Sequence, residues 1–197
     1  MPRQKSYVRE EAVKKACEVF WQEGYQALGV RELEERTGIN QFAIRSEFGG
    51  KQGLYLEALN YYAEAAFEMH LRPMRDGGIA EIIAFLKSLT DEKFSSSSEY
   101  GCMIVNTGVE NARIASPELD AVVANYWTVL EEHFHSALTN AKNRAQKTSA
   151  INPRAEAKIL VTAVMGIHVQ NRAQKSRSGG GALVEHLCAH LEGLENT

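Results

Sequence analysis

GVRELEERTGINQFAIRSEFGGKQGLYLEAL, residues 29–59, decides how this chain reads. Val30 and Leu33 give the first short segment, about residues 30–36, an apolar face, and Gly29 can cap it. Gly38 suits the positive φ of a tight turn, and Ile39 anchors that turn. Asn40 is a good N-cap for a second short helix, about residues 40–47. Ile44 and Phe48, four residues apart, hold that helix inward. Gln41, Phe42, Arg45 and Ser46 are then left facing outward. A helix displayed this way fits the DNA major groove, with its N-terminal half at base edges. Lys51 opens the next helix where a side chain and backbone N–H groups can meet a phosphate. The pattern predicts a helix-turn-helix.

Outward from this stretch, the chain reads as all-α, with about nine helices. An amphipathic helix over about 8–23 carries Val13, Ala16, Cys17, Phe20 and Trp21 on one face and stops at Gly24. A long helix is expected from Gly50 to about Arg72, ahead of Pro73, spanning roughly 35 Å. Its apolar positions include Leu54, Tyr55, Ala58, Leu59, Tyr62, Ala66 and Met69. Ile79 to Leu89 form another apolar helix, the serines at 95–98 read as a loop, and Cys102 to about Ala112 form the next. Ser116-Pro117 and Asn152-Pro153 are both helix starts, a capping side chain followed by proline at the first position. The glycines at 179–181 precede a last helix. The expected division is a DNA-binding domain, 1–49, and a helical effector-binding and dimerisation domain, 50–197, linked by the helix 50–72.

Bulk properties exclude more than they select. Of 197 residues, 22 are Lys or Arg and 25 are Asp or Glu, a net charge of −3. Residues 1–51 hold nine basic and eight acidic side chains, so charge alone makes no case for nucleic acid. Cys17, Cys102 and Cys188 are far apart and lack CxxC spacing, which indicates neither a disulfide framework nor a zinc site. His186 and His190 share a helix face but lack an acidic third ligand nearby in sequence. No metal or cofactor is expected. The opening residues MPRQKSYVREE lack the apolar core of a signal peptide, and no apolar run reaches membrane-spanning length. A cytoplasmic protein without a membrane is expected. No nucleophile–base–acid set or phosphate-binding glycine loop is visible, so an enzyme is not expected.

At residues 9–60 the chain resembles the TetR family of bacterial transcription regulators. The resemblance lies in Gly24-Tyr25, Val30-Arg31-Glu32-Leu33, the Gly38-Ile39 turn, and Phe48 through Lys51 to Leu54-Tyr55. Gly101-Cys102-Met103-Ile104-Val105-Asn106 is similar to a G-C-x-x-x-N stretch of one subset. The resemblance implies a homodimer formed by helices about 153–176 and 182–194, a palindromic double-stranded DNA operator, and a small-molecule effector. It implies DNA contacts from Val30, Arg31, Asn40, Gln41, Phe42, Arg45, Ser46 and Lys51. It also implies an effector pocket, for which Tyr62, Met69, Phe85, Met103, Trp127, Phe134, Met165 and His168 are the candidates. At helical spacing those side chains equally fit a plain core. Four positions depart from the family pattern: Glu34, Phe42, Arg45 and Glu47. Arg45 suits either a phosphate or a guanine edge.

Cys102 follows a glycine at a helix start, where the helix terminus lowers a thiol pKa. Read that way it is a redox or electrophile sensor whose modification releases DNA. The plainer reading is a small buried apolar residue. The functional expectation is a DNA-binding transcriptional regulator acting as a repressor. The alternative is a helical small-molecule-binding or thiol-sensing protein without DNA binding.

Overall fold

The structure is a computed structural model that describes residues 7–93, 98–144 and 152–195. Among those residues there are nine α-helices and no strand. The residues preceding Tyr7 and most of the serine run expected as a loop lie outside the described residues.

Helix α1, Arg9–Glu23, buries Ala12, Val13, Ala16, Cys17, Val19 and Phe20. Helix α2, Val30–Thr37, ends where Gly38 turns left-handed at φ 76°, its N–H donating to the Glu34 carbonyl at 2.9 Å. Helix α3, Gln41–Glu47, begins under Asn40, whose Oδ1 accepts from the Ala43 N–H at 2.8 Å. Helix α4 follows at Lys51–Ala66. Its third residue is glycine for a steric reason. A Cβ on Gly53 would stand 1.7 Å from the Phe48 carbonyl oxygen.

The expectation of one unbroken helix to Arg72 is corrected here. The α register of α4 ends at Ala66, continues as a π turn at Phe67–Leu71, and tightens to a 3-10 turn at Arg72–Met74. Pro73 supplies the reason. It has no N–H for the carbonyl four residues back, at Met69, and its ring crowds that carbonyl. The chain widens by one residue per turn before it.

Helices α5 (Ile79–Ser88), α6 (Met103–Ile114), α7 (Pro117–Arg144), α8 (Pro153–Gln174) and α9 (Gly181–Glu195) complete the fold. Ser116 Oγ accepts the Leu119 N–H at 3.3 Å and Asn152 Oδ1 accepts the Ala155 N–H at 3.2 Å, so both Ser/Asn-Pro starts are capped as their residues dictate. α7 lies along α8, α1 on α4, and α5 on α9.

Two apolar clusters result. One joins α1, α2, α3 and α4 and extends to Cys102, Met103, Ile104 and Leu119. The other packs α5 against α7, α8 and α9. Trp127 touches both. The start of α6 is therefore built into the same core as the helix-turn-helix. Trp21 Nε1 donates to the Gly101 carbonyl at 2.9 Å, and the Tyr55 and Thr107 hydroxyls meet at 2.8 Å.

Candidate DNA-binding surface and interior cavity

α3 divides its residues cleanly. Ala43 and Ile44 are buried, and Phe48 just beyond the helix is 6% exposed. Gln41, Arg45 and Ser46 are exposed, and Phe42 is 80% exposed. Phe42 is thus a large apolar side chain turned to water on a helix whose other face is fixed in the core. Arg45 makes no hydrogen bond or ion pair with a described residue, so its guanidinium is free for a ligand. Asn40 uses its side-chain oxygen as the cap.

The unusual acids are accounted for by partners. Glu34 accepts from Gln41 Nε2 at 2.7 Å. Glu47 is half-buried, accepts from the Tyr7 hydroxyl at 3.0 Å, and has the Arg9 guanidinium 3.8 Å away. Its charge is tied to the start of α1. Arg31 is exposed beside Glu35 at 3.4 Å, an open pair that adds little stability. Val30 is half-buried on the rim of the core. The Lys51 ammonium sits 4.1 Å from the centroid of the Tyr25 ring. Burial lowers its pKa, opposed by the charge of Glu110. The Glu110 carboxylate also accepts the Tyr25 N–H at 2.8 Å, which links α6 to the end of α1.

A cavity of about 280 Å³ lies among α1, α4, the π turn, α5, α7 and α8. Tyr62, Met69, Phe85 and His168 line it, as do Trp21 and Tyr126. The other four sequence candidates lie elsewhere. Met103 is buried against Cys17, sulfur to sulfur at 3.9 Å. Trp127 bridges the two cores, Phe134 is fully buried edge-on to Phe85, and Met165 packs beside the second core. The phase of α7 explains the exchange of Trp127 for Tyr126. Val122, Tyr126, Leu130, Phe134 and Leu138 recur every four residues, and Trp127 stands one position off that stripe. Trp21 was legible as apolar but its place in α1 pointed to the DNA-reading core.

His168 is 6% exposed, and its Nδ1 has no hydrogen-bond partner. Burial pushes its pKa down to about 4, so the ring is neutral at neutral pH. Burial raises the pKa of the Tyr62 and Tyr126 phenols.

Cys102 is the N-cap residue of α6 and 2% exposed. The expectation of a lowered thiol pKa is overturned. Burial raises it, and hydrogen bonds from the Tyr62 hydroxyl and the Val105 and Ile104 N–H groups offset this only in part. The local helix terminus is present, but the aromatic cover above it excludes the water a thiolate needs. Near the C-terminus, His190 Nε2 lies 3.0 Å from Glu156, the acid that sequence proximity hides. Among the described residues no group of three His, Cys, Asp or Glu side chains converges. No helix among them is long and apolar enough to cross a membrane.

Comparison with known proteins places this geometry. Residues 12–58 match the profile of the bacterial regulatory proteins, tetR family. The chain is 27% identical over 119 residues to the HTH-type transcriptional repressor ComR of Escherichia coli K12, covering 59% of this chain and 55% of ComR. It is 24% identical over 189 residues to the repressor BdcR of the same organism, covering 95% of this chain and 87% of BdcR. A cysteine mutant of the TetR family transcriptional regulator CifR, solved with 26-base-pair operator DNA, superposes with a TM-score of 0.71 at 20% identity, covering 99% of each chain.

Proposed function

Because the chain belongs to the tetR family of bacterial regulatory proteins, we propose that it is a transcriptional repressor that binds a palindromic operator as a homodimer. The observation that carries this is the outer face of α3, where Phe42 and Arg45 stand exposed and uncommitted above a buried Ala43 and Ile44. The free guanidinium suits bidentate contact with guanine, and the ring suits a thymine methyl. Gln41 and Ser46 flank them, and Arg31, Asn40 and the Lys51 ammonium approach the phosphates. Lys51 needs only to leave the Tyr25 face. Val30 acts from the core by fixing α2. The division into a reading unit, 1–49, and an effector and pairing unit, 50–197, belongs to the same proposal.

The pairing surface is assigned to α8 and α9. Ile159 and Val169 are 56% and 51% exposed and share a stripe with Ala163 and Gly166. Small residues between exposed apolar ones let a second helix approach closely. A two-fold pair of such chains sets two α3 helices in successive major grooves, about 34–36 Å apart.

Release from DNA is assigned to a small molecule in the cavity. It touches α1 and α4 directly, so a ligand that favours one spacing of the α3 helices shifts the population toward it. Modification of Cys102 is a second route, favoured by one observation: Tyr62 lines the cavity and is close enough to the Cys102 thiol for each to influence the other's ionisation. Displacing Tyr62 would uncover the sulfur.

Selection of bound fragments from a random DNA pool tests the reading. An inverted repeat with half-sites one helical turn apart, bound by two chains, is the expected result. A single half-site bound by one chain, or no enrichment, contradicts it.

A further inference from the structure

The cavity contains enough chemistry to name the class of molecule it takes. Its size is about 280 Å³. A dry engineered cavity of ~150 Å³ holds one benzene ring, so this one fits a bicyclic or substituted single ring. Five aromatic side chains, Trp21, Tyr61, Tyr62, Phe85 and Tyr126, contribute to its walls. Trp21 and Tyr62 meet edge-on at 5.2 Å, a fixed angle into which a flat ring can slot.

Charge narrows the choice. Lys14 and Glu18 are both exposed, so they stand at the rim as one cation and one anion. Burial lowers the pKa of both lining histidines, His70 and His168, and raises those of the Tyr62 and Tyr126 phenols, so all four are neutral at pH 7. A charged group buried beside His168 would lose its hydration without gaining a counter-charge there, which is costly.

The polar requirement is specific. His168 is more than nine-tenths buried, lines the cavity, and has a partnerless Nδ1. A buried polar atom without a partner costs about 1–3 kcal/mol. A ligand hydroxyl both donates and accepts, so it can pair with the His168 ring in either tautomer. The π turn at Phe67–Leu71 brings two more residues, Met69 and His70, to the cavity wall.

We propose that the cavity binds an uncharged aromatic molecule of one or two rings bearing a hydroxyl that hydrogen-bonds to the His168 imidazole. Calling this molecule the effector rests on the regulator reading. Its occupancy does not, because binding is measured without DNA.

The test is titration of the full chain with 2-naphthol, naphthalene and naphthalene-2-sulfonate, followed by tryptophan fluorescence and calorimetry. One 2-naphthol per chain is expected, bound about tenfold more tightly than naphthalene, the equivalent of one net hydrogen bond. The sulfonate binds more weakly than either. In His168→Leu the naphthol and naphthalene affinities converge, and in His168→Gln a preference for naphthol returns. Equal affinities for naphthol and naphthalene in the wild-type chain would overturn the proposal. So would an undiminished preference in a folded His168→Leu, tighter binding of the sulfonate, or no binding of any probe. A chain that binds naphthol in this pattern but enriches no DNA would break the regulator reading and leave this one standing.

Discussion

The helix-turn-helix end and the cavity end are built on opposite principles. At the first, short helices stop at residues that satisfy their loose ends. The Gly38 N–H reaches Glu34, Asn40 holds the Ala43 N–H, and the buried Thr37 hydroxyl donates to Leu33 and accepts from Ile39. Among the described residues, the only buried side-chain atoms without a partner are on His133 and His168, both outside the first three helices. At the cavity end α4 leaves its register, and space remains between the helices. The contrast teaches a division of labour. A fully bonded scaffold presents side chains in one place, while incomplete packing leaves an interior that a ligand can complete.

The largest expected effect falls on the rigid end. Gly53→Ala drives a Cβ into the Phe48 carbonyl and forces the α3–α4 turn apart. A loss of about 4 kcal/mol is expected, seen as a Tm about 8–16 °C lower for a chain of this size. An unchanged melt would show that this end yields as readily as the other.

The next effect sharpens the cavity side. The folded chain keeps His168 neutral down to about pH 4, whereas the unfolded chain takes up a proton from about 6.5. Between those values the unfolded state binds more protons, so stability falls as pH falls and is fully present above 6.5. The shift corresponds to about 3 kcal/mol. Chemical denaturation at pH 7 and pH 4 should show the wild-type chain losing that much relative to His168→Leu. Parallel pH profiles would mean that the histidine is hydrated.

A smaller loss, about 2 kcal/mol, is expected for Asn171→Ala. The fully buried Asn171 amide donates to the Leu89 carbonyl and accepts from the Gly180 N–H, which ties α8 to the end of α5 and the start of α9. Urea unfolding measures it, and a neutral result would show that this tie does not hold the cavity end together. The smallest effect is Asn40→Ala, about 1 kcal/mol for a lost N-cap. It should weaken DNA binding more than it lowers the Tm, because α3 frays at its reading end.

What the residues disclose follows how local their causes are. The bounds of α2 and α3, the glycine turn between them and the caps at Ser116 and Asn152 are fixed by neighbours within four positions, and they read directly. The π turn was half legible, since Pro73 announces the disturbance but not its form. The cavity was least legible. Its walls come from helices up to 154 residues apart, Lys14 to His168, and only the four-residue phase of α7 could have pointed to Tyr126. Cys102 shows the same limit. Its helix terminus is a local fact that lowers a thiol pKa, and its burial under Tyr62 is a tertiary fact that wins. Glu47 reads as hostile to a phosphate until Tyr7 and Arg9 are seen to hold it.

The central claim is that α3 reads base edges while Lys51 holds the backbone. The direct test is the salt dependence of binding to a selected operator and to unrelated DNA, for wild type, Arg45→Ala and Lys51→Ala. Lys51→Ala should weaken both DNAs alike and reduce the salt slope by about two, roughly one phosphate per subunit. Arg45→Ala should bring the operator's affinity toward that of unrelated DNA. Unchanged slope in the first variant and unchanged preference in the second would contradict the account.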